Sequence, residues 1–442
     1  MDSPERALES EARHLNAEDD HDVNPADVAV GVVIGRTSEF FDFFVFAVAS
    51  VIVFPARVFP YTDPATGTMY CFAIFALAFA ARPFGTTLFN YIDRQHGKSA
   101  RLTSALLLLG TATVAIGFLP AYETIGHWSA AILIVLRLLQ GLAIGGSWDG
   151  LASLLALDAP QNRRTYYTMV PQIGAAVGFL VATGLFAYFL AVLSPADFYD
   201  WGWRYPFFVA FAINVVALFA RLRIVVTPEY TKLFRARELQ PEPILTTVRA
   251  EFPTIALGAF VPLATFALFH MMTVFPLSWI FLYTDEEPWH FLTIASVASV
   301  FFLAGIVASG WLAARYGRWR LLRDCAFATG AFSGFAPQFL NGGIVGEIFF
   351  MFSGFMLLGL CFGQSSGVVA DRFSQKFRYT GSALTSDMAW LFGAGFAPLA
   401  ALALSSYFGL IAAGAYLLSG AICTLVALSI VKRFRQDRSR LS

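Results

Sequence analysis

Arg36, Glu39 and Asp42 recur every three residues inside the apolar run Gly35-Arg36-Thr37-Ser38-Glu39-Phe40-Phe41-Asp42-Phe43. On a helix that spacing predicts a stripe of one positive and two negative charges sharing one face. A carboxyl group in such surroundings can take up and release a proton: burial favours its neutral form, a nearby arginine favours its charged form, and a conformational change can shift the balance. Glu39 or Asp42 is the expected proton carrier, and the alternative is a static ion pair with Arg36 or Arg82 that only fixes helix packing. Arg137 is a third charge in an apolar run, with Gln140 one turn further on. Its planar fork suits a carboxylate, which it can bind through two parallel hydrogen bonds; the alternative is a pair with an acid of the first segment. In the second half of the chain Asp387 divides between substrate contact and packing, and Gln172, Gln364 and Trp390 line a pocket by position alone. His270, between Phe269 and Met271, reads as a hydrogen-bonded core histidine rather than a proton relay.

These residues need elements that hold charge inside an apolar medium. Hydrophobic residues make up 57% of the 442 positions and charged ones 14%, too few to cover a globular fold of that size. A membrane-spanning helix takes about 20 mostly apolar residues, and twelve stretches qualify: roughly 28 to 54, 67 to 91, 100 to 119, 128 to 156, 165 to 193, 204 to 225, 253 to 283, 289 to 314, 320 to 340, 344 to 370, 379 to 406 and 409 to 431. An ionisable side chain in such a span costs about 3 kcal/mol to insert, so each one is a functional candidate. Phenylalanine surrounds the first span at positions 40, 41, 43, 44 and 46 and is expected to serve lipid contact and packing. Trp201, Trp203 and Trp289 fall at span ends, where aromatic belts lie.

Net charge is zero, yet lysine and arginine gather on alternate loops. With the N-terminus in the cytoplasm, Arg94, Lys98, Arg101, Arg221, Arg315, Arg318 and Arg320 fall inside, together with the tail from Lys432 to Arg440, while Arg57 and Arg204 stay outside. Both termini are therefore expected in the cytoplasm. Residues 1 to 27 form an acidic tail that resembles no signal peptide. Cys71, Cys325, Cys361 and Cys423 lie in apolar segments and read as small buried hydrophobes.

A short glycine and arginine turn follows the second span of each half: Asp93, Arg94, Gly97 and Lys98 in the first, Arg315, Gly317 and Arg318 in the second. The pairing implies duplicated halves. The expected organisation is a tail at 1 to 27, a six-helix half at 28 to 225, a cytoplasmic linker at 226 to 252, a second six-helix half at 253 to 432 and a tail at 433 to 442. Gly141 with Gly145, and Gly174 with Gly178, have the four-residue spacing of closely packed helices.

The ordered motifs resemble those of the metabolite:proton symporter branch of the major facilitator superfamily. The run from Gly35 to Phe43 is similar to the family's G-x-x-x-E-[WF]-[YF]-D-F, Ala81-Arg82-Pro83-Phe84-Gly85 to A-R-P-x-G, and Arg137-Leu138-Leu139-Gln140-Gly141 through Gly145-Gly146 to R-x-x-Q-G-x-x-x-G-G. Trp201-Gly202-Trp203-Arg204-Tyr205-Pro206-Phe207, Thr227-Pro228-Glu229-Tyr230 and Arg378-Tyr379-Thr380-Gly381 resemble further signatures. The resemblance implies an all-α integral membrane protein with the twelve-helix major facilitator fold, and a role for Arg137 in coupling or in holding an anion. Three departures stand out. Arg94 occupies the aspartate position of the first turn with Asp93 one place early, Ala314 occupies the corresponding position of the second, and the acid of the fourth span is displaced to Asp149.

The expected function is proton symport of a small organic acid across a bacterial inner membrane. Glu39, Asp42 and Arg137 would couple the proton, while Arg36, Arg82, Arg137, Gln140, Gln172, Asp387 and Trp390 would contact substrate. No phosphate-cradling loop and no converging set of nucleophile, base and metal ligands appears, so no enzyme and no cofactor is expected, the proton gradient supplying the energy. The expected partners are a small-molecule substrate, protons and the lipid bilayer, with no nucleic acid and a monomeric chain. The alternatives are a zwitterion carrier, an exporter or a transport-dead sensor.

Overall fold

The computed structural model describes residues 25–147, 164–225, 242–365, 372–374 and 376–441. Asp149, the signature Thr227 to Tyr230 and most of the expected linker lie outside the described residues. The described chain is helical, with no strand. In chain order the long elements are α1 (Pro25–Ile52), α2 (Pro64–His96), α3 (Lys98–Gly117), α4 (Trp128–Ser147), α5 (Arg164–Val192) and α6 (Tyr205–Val225). The second half continues with α7 in three pieces (Ile244–Phe260, Leu263–Thr273 and Phe275–Tyr283), α8 (Pro288–Tyr316), α9 (Arg318–Phe335) and α10 (Gly343–Phe362). It closes with α11 in two pieces (Arg378–Trp390 and Ala397–Phe408) and α12 (Ala413–Leu441). Among the described residues ten spans are long and apolar enough to cross a membrane. The other two of the twelve, α1 and α9, carry the charges: Arg36, Glu39 and Asp42 in α1, and Arg318, Arg320, Arg323 and Asp324 in α9.

Proline decides where the segmented helices break. A proline offers no N–H and its ring clashes with the carbonyl four residues back. In α7, Glu251 leaves helical geometry (φ −124°, ψ 18°) two residues before Pro253, Pro262 precedes the second piece and Pro276 opens the third. In α11, a wider turn over Leu391–Gly395 precedes the piece that carries Pro398. Helix α7 starts at Ile244, inside the stretch expected to be linker. On the loop side, Asp63 caps α2 by accepting the Thr66 N–H at 2.9 Å, and that bond holds its carboxyl below the usual range.

The two glycine turns share one geometry. Gly97 has φ 87° and Gly317 φ 88°, a region that L-residues with a side chain enter only with strain. Each closes its helix, Gly97 N–H donating to the Asp93 carbonyl at 2.9 Å and Gly317 N–H to the Ala313 carbonyl at 3.0 Å. Both turns lie at one end of the bundle, called the turn end below.

Helix α1 runs through the interior, against α5 and α6. Phe40, Phe41, Phe43, Phe44 and Phe46 are all buried, so of the lipid contact and packing expected of them they serve packing. A helix apolar all round is one surrounded by protein as readily as by lipid, and α1 is the former. Close backbone approach explains the paired glycines: a Cβ on Gly174 would meet the Thr37 nitrogen at 2.6 Å, and one on Gly145 the Arg82 carbonyl oxygen at 2.2 Å. Trp203 is buried against Arg57 and Arg204 and belongs to no belt. Cys71, Cys325 and Cys361 are buried, whereas Cys423 is only partly so.

Candidate functional site

Glu39 is held on both oxygens. Arg36 Nη1 donates to Oε2 at 2.6 Å, Arg221 Nη2 to Oε1 at 2.6 Å and the Ser147 hydroxyl to Oε1 at 2.8 Å. Arg221 comes from α6 and is buried, whereas the sequence counts it only as a cytoplasmic charge. Its guanidinium fills the space beside Gly35, where an added Cβ would sit 2.2 Å from Nε. Arg82 does not pair with Glu39. A carboxylate saturated by two guanidinium groups is a structural anchor, because removing it leaves a buried cation uncompensated at about 3–5 kcal/mol. Glu39→Gln is expected to lower the melting temperature and the yield of folded protein, measured in detergent against the wild type.

Asp42 leaves the stripe. Each residue advances a helix by about 100°, so a spacing of three falls short of a full turn by about 60°, and Asp42 lies some 120° round from Arg36. Asn214 of α6 donates to Asp42 Oδ2 at 2.5 Å, and the Ser38 hydroxyl donates to Asn214 Oδ1 at 2.5 Å. Asp42 Oδ1 is buried with no hydrogen-bond partner, and among the described residues no cation pairs with Asp42. Of the two expected carriers, Asp42 alone lacks a cationic partner among the described residues.

Arg137 is almost fully buried, 1% exposed. Its Nε and Nη2 reach the Phe75 carbonyl at 3.3 Å each, and Nη1 donates to Gln140 Oε1 at 3.0 Å. The guanidinium lies over the rings of Phe46 at 4.0 Å and Phe75 at 4.9 Å. Arg137 forms no ion pair among the described residues, so the expected alternative of a direct pair with a first-helix acid is absent. A polar chain joins it to Asp42: Gln140 Nε2 donates to the Thr113 hydroxyl at 2.7 Å, and Thr113 faces Asp42.

Arg82 and Asp387 neutralise each other across the halves. Arg82 Nε stands 3.2 Å from Asp387 Oδ1, and the Thr86 hydroxyl donates to Oδ2 at 2.7 Å. Nearer the turn, Asp93 pairs with Arg101 at 3.1 Å, and Arg101 Nη1 also donates to the Tyr379 hydroxyl of α11 at 2.7 Å. Lys98 lies over the Tyr379 ring at 5.1 Å. The acid one place early in the first turn thus has a buried partner, while Arg94 at its side is exposed. In the second turn Arg315 is exposed over its own Trp311 and Tyr316, and Arg318 is half-buried. The first turn adds to Arg82 and Thr86 a further tie to α11, from α3 through Arg101 and Tyr379.

Between these layers lies an aromatic centre built from both halves. His270 in the middle piece of α7 is fully buried, and among the described residues neither ring nitrogen has a hydrogen-bond partner, in contrast to the bonded core histidine expected. Its ring stacks on Phe43 at 5.1 Å and meets Phe75 edge-on at 5.4 Å. Trp390 is buried beside it, 6.2 Å between centroids. Gln172 is buried with Oε1 unpartnered. Sequence reasoning missed Asn214, Thr113 and Thr86, which carry no charge, and counted Arg221 and Arg101, at the ends of their spans, only among the cytoplasmic charges. A polar residue within an apolar run, as in Ile213-Asn214-Val215, was the available signal.

The family profile described as Major Facilitator Superfamily matches residues 32–398. The inner membrane metabolite transport protein YhjE of Escherichia coli (strain K12) is 34% identical over 93% of this chain and 94% of its own length. The shikimate transporter of the same strain is 28% identical over 91% and 94% of the two chains, and its proline/betaine transporter 26% over 89% and 80%. Among solved structures, the proton:xylose symporter XylE superposes with a TM-score of 0.68 at 15% identity, covering 93% of this chain and 95% of that one.

Proposed function

Because the chain belongs to the major facilitator superfamily, and so is a membrane transport protein and not an enzyme, we propose that it carries a small carboxylate together with a proton. One observation supports the reading above the others. A buried carboxyl group without a cation, Asp42, is joined through Thr113 and Gln140 to a buried guanidinium without a carboxylate, Arg137. A substrate carboxylate on Arg137 adds negative charge near Asp42 and so favours proton uptake there. By reciprocity the proton favours the anion. The two then bind together, as symport requires.

Shikimate, proline and betaine, the compounds in the relatives' names, all bear a carboxylate, which supports an acid as cargo. A zwitterion is the second reading, favoured by the proline/betaine relative and by aromatic rings that suit a cationic head. In either case the turn end and both termini face the cytoplasm of a bacterial inner membrane, a reading supported by the excess of basic residues on alternate loops, and the monomer is the working unit. The ties from α2 and α3 to α11 close that end. Asp387→Asn removes one of them and is expected to populate the opened state, read as faster labelling of cysteines introduced along α2 and α11 near the turn end; unchanged labelling would leave Arg82 and Asp387 as packing alone. The function is tested by uptake into proteoliposomes under an imposed pH gradient, across a panel of organic acids and zwitterions. Gradient-driven uptake of an acid is expected, and none with folded protein would favour a sensor.

A further inference from the structure

We infer that Asn214, held by Ser38, is the positioning residue of the proton site: its amide turns over as Asp42 gains or loses a proton, so that Asp42 is hydrogen-bonded in both states. This rests on the reading of Asp42 as the proton carrier and adds the groups that let a buried carboxyl change its charge. Ser38 and Asp42 stand one turn apart on α1, and α6 packs against that helix. Asn214 of α6 reaches between them, its Nδ2 donating to Asp42 Oδ2 and its Oδ1 accepting from the Ser38 hydroxyl. Asn214 is 2% exposed and the other two 1% each, so these bonds are not exchanged for bonds to bulk water.

The observed order of donors and acceptors suits a charged Asp42. A carboxylate only accepts hydrogen bonds, whereas a protonated carboxyl group also has an O–H to donate. An amide donates at one atom and accepts at the other, so a half-turn of its planar end exchanges the two roles with little change of shape. A hydroxyl group takes either role. After the half-turn a protonated Asp42 donates to Asn214 Oδ1, Nδ2 donates to the Ser38 oxygen, and the three groups keep both of their bonds. A fixed donor in place of the amide would serve the charged state alone. The surrounding charges offer no such reversal. Among the described residues, Glu39 of α1 and Arg137 of α4 act on Asp42 through their charge, Arg36 and Arg221 are held by Glu39, and Arg82 of α2 pairs with Asp387. Helix α3 presents Thr113, His270 of α7 stacks on the neighbouring Phe43, and α5 has no titratable side chain between Tyr167 and Tyr188.

The test is a pH titration of the purified protein followed by infrared difference spectroscopy, with the proton itself as the probe. The protonated-carboxyl band that vanishes in Asp42→Asn identifies Asp42, and the loss of that band with rising pH gives a midpoint. Asn214→Leu keeps the size of the side chain and removes both bonds. A hydrogen bond to a charged carboxylate is stronger than one to the neutral acid, so leucine disfavours the charged form. The midpoint is expected to rise by about one pH unit, a tenfold gain in proton affinity. The band is expected to move to higher frequency as well, because the protonated group has lost its partner. Asn214→Ala removes the same bonds and carries the same expectation should Asn214→Leu not fold. A folded Asn214 variant with unchanged midpoint and frequency, or with a lowered midpoint, would overturn the inference while leaving Asp42 as the carrier. If Asp42→Asn removes no band, the reading of Asp42 itself fails.

Discussion

Asp42→Asn is expected to bring uptake driven by a pH gradient down to the level of protein-free liposomes while leaving exchange of labelled for unlabelled substrate in place. The amide keeps the shape of the side chain and can keep the contact with Asn214 after a flip of that group. It cannot gain or lose a proton. Exchange needs only that the loaded carrier reorient, and the neutral amide imitates the protonated carboxyl. Net gradient-driven movement needs the proton to leave, which the amide forbids. Glu39→Gln makes the contrast, because Arg36 and Arg221 occupy Glu39 from both sides. Its expected loss is of folded protein, and whatever folds should remain coupled. If Asp42→Asn kept full gradient-driven uptake, proton binding would have to be sought elsewhere.

Arg137→Met is the second large effect. Removing a charged partner from a buried contact costs about 2–5 kcal/mol, or roughly 30-fold to several thousand-fold in affinity. Substrate affinity is expected to fall by that amount, with exchange lost as well as net uptake. Arg137→Lys should recover little, because the ammonium keeps the charge but not the fork. The rings of Phe46 and Phe75 stack against a planar group, and lysine offers none. The separation of the two variants is the useful part: Asp42→Asn spares exchange, and Arg137→Met spares neither mode. Unchanged affinity in Arg137→Lys would reduce Arg137 to a packing residue.

What the sequence revealed depended on the length scale of each interaction. Span number and the paired turns were legible, because apolar run length and a left-handed glycine are local properties that Gly97 and Gly317 display in the same way. The buried charges were also legible as candidates, since an ionisable residue in an apolar run stands out alone. Their partners were not. Arg82 meets Asp387 and Glu39 meets Arg221 through tertiary contacts between helices distant in sequence, and no periodicity along one helix encodes them. The stripe of Arg36, Glu39 and Asp42 misled because a spacing of three drifts around a helix, enough to turn Asp42 toward Asn214. The phenylalanines of α1 misled for a different reason. Composition measures how apolar a helix is, and lipid and protein interior reward the same residues.

The displaced acid of the first turn is explained by the partner that it meets. Asp93 stands one place early, yet from there it is buried against Arg101, which in turn reaches Tyr379 of α11. The second turn, with Ala314 at the corresponding place, leaves Arg315 stacked on neighbouring rings at the surface. Through Arg101 and Tyr379 the first turn contributes one of the ties between the halves.

The central claim is that substrate and proton move together through Asp42. The most direct measurement is the internal pH of proteoliposomes holding a trapped pH-sensitive dye, followed as a transported acid is added outside with no pH gradient imposed and with potassium and valinomycin holding the voltage at zero. The acid should be one whose passive entry into protein-free liposomes is negligible. Wild-type vesicles should acidify as the acid enters, and Asp42→Asn vesicles should not. Acid entry into wild-type vesicles with no change of internal pH, or equal acidification by the two proteins, would contradict the account.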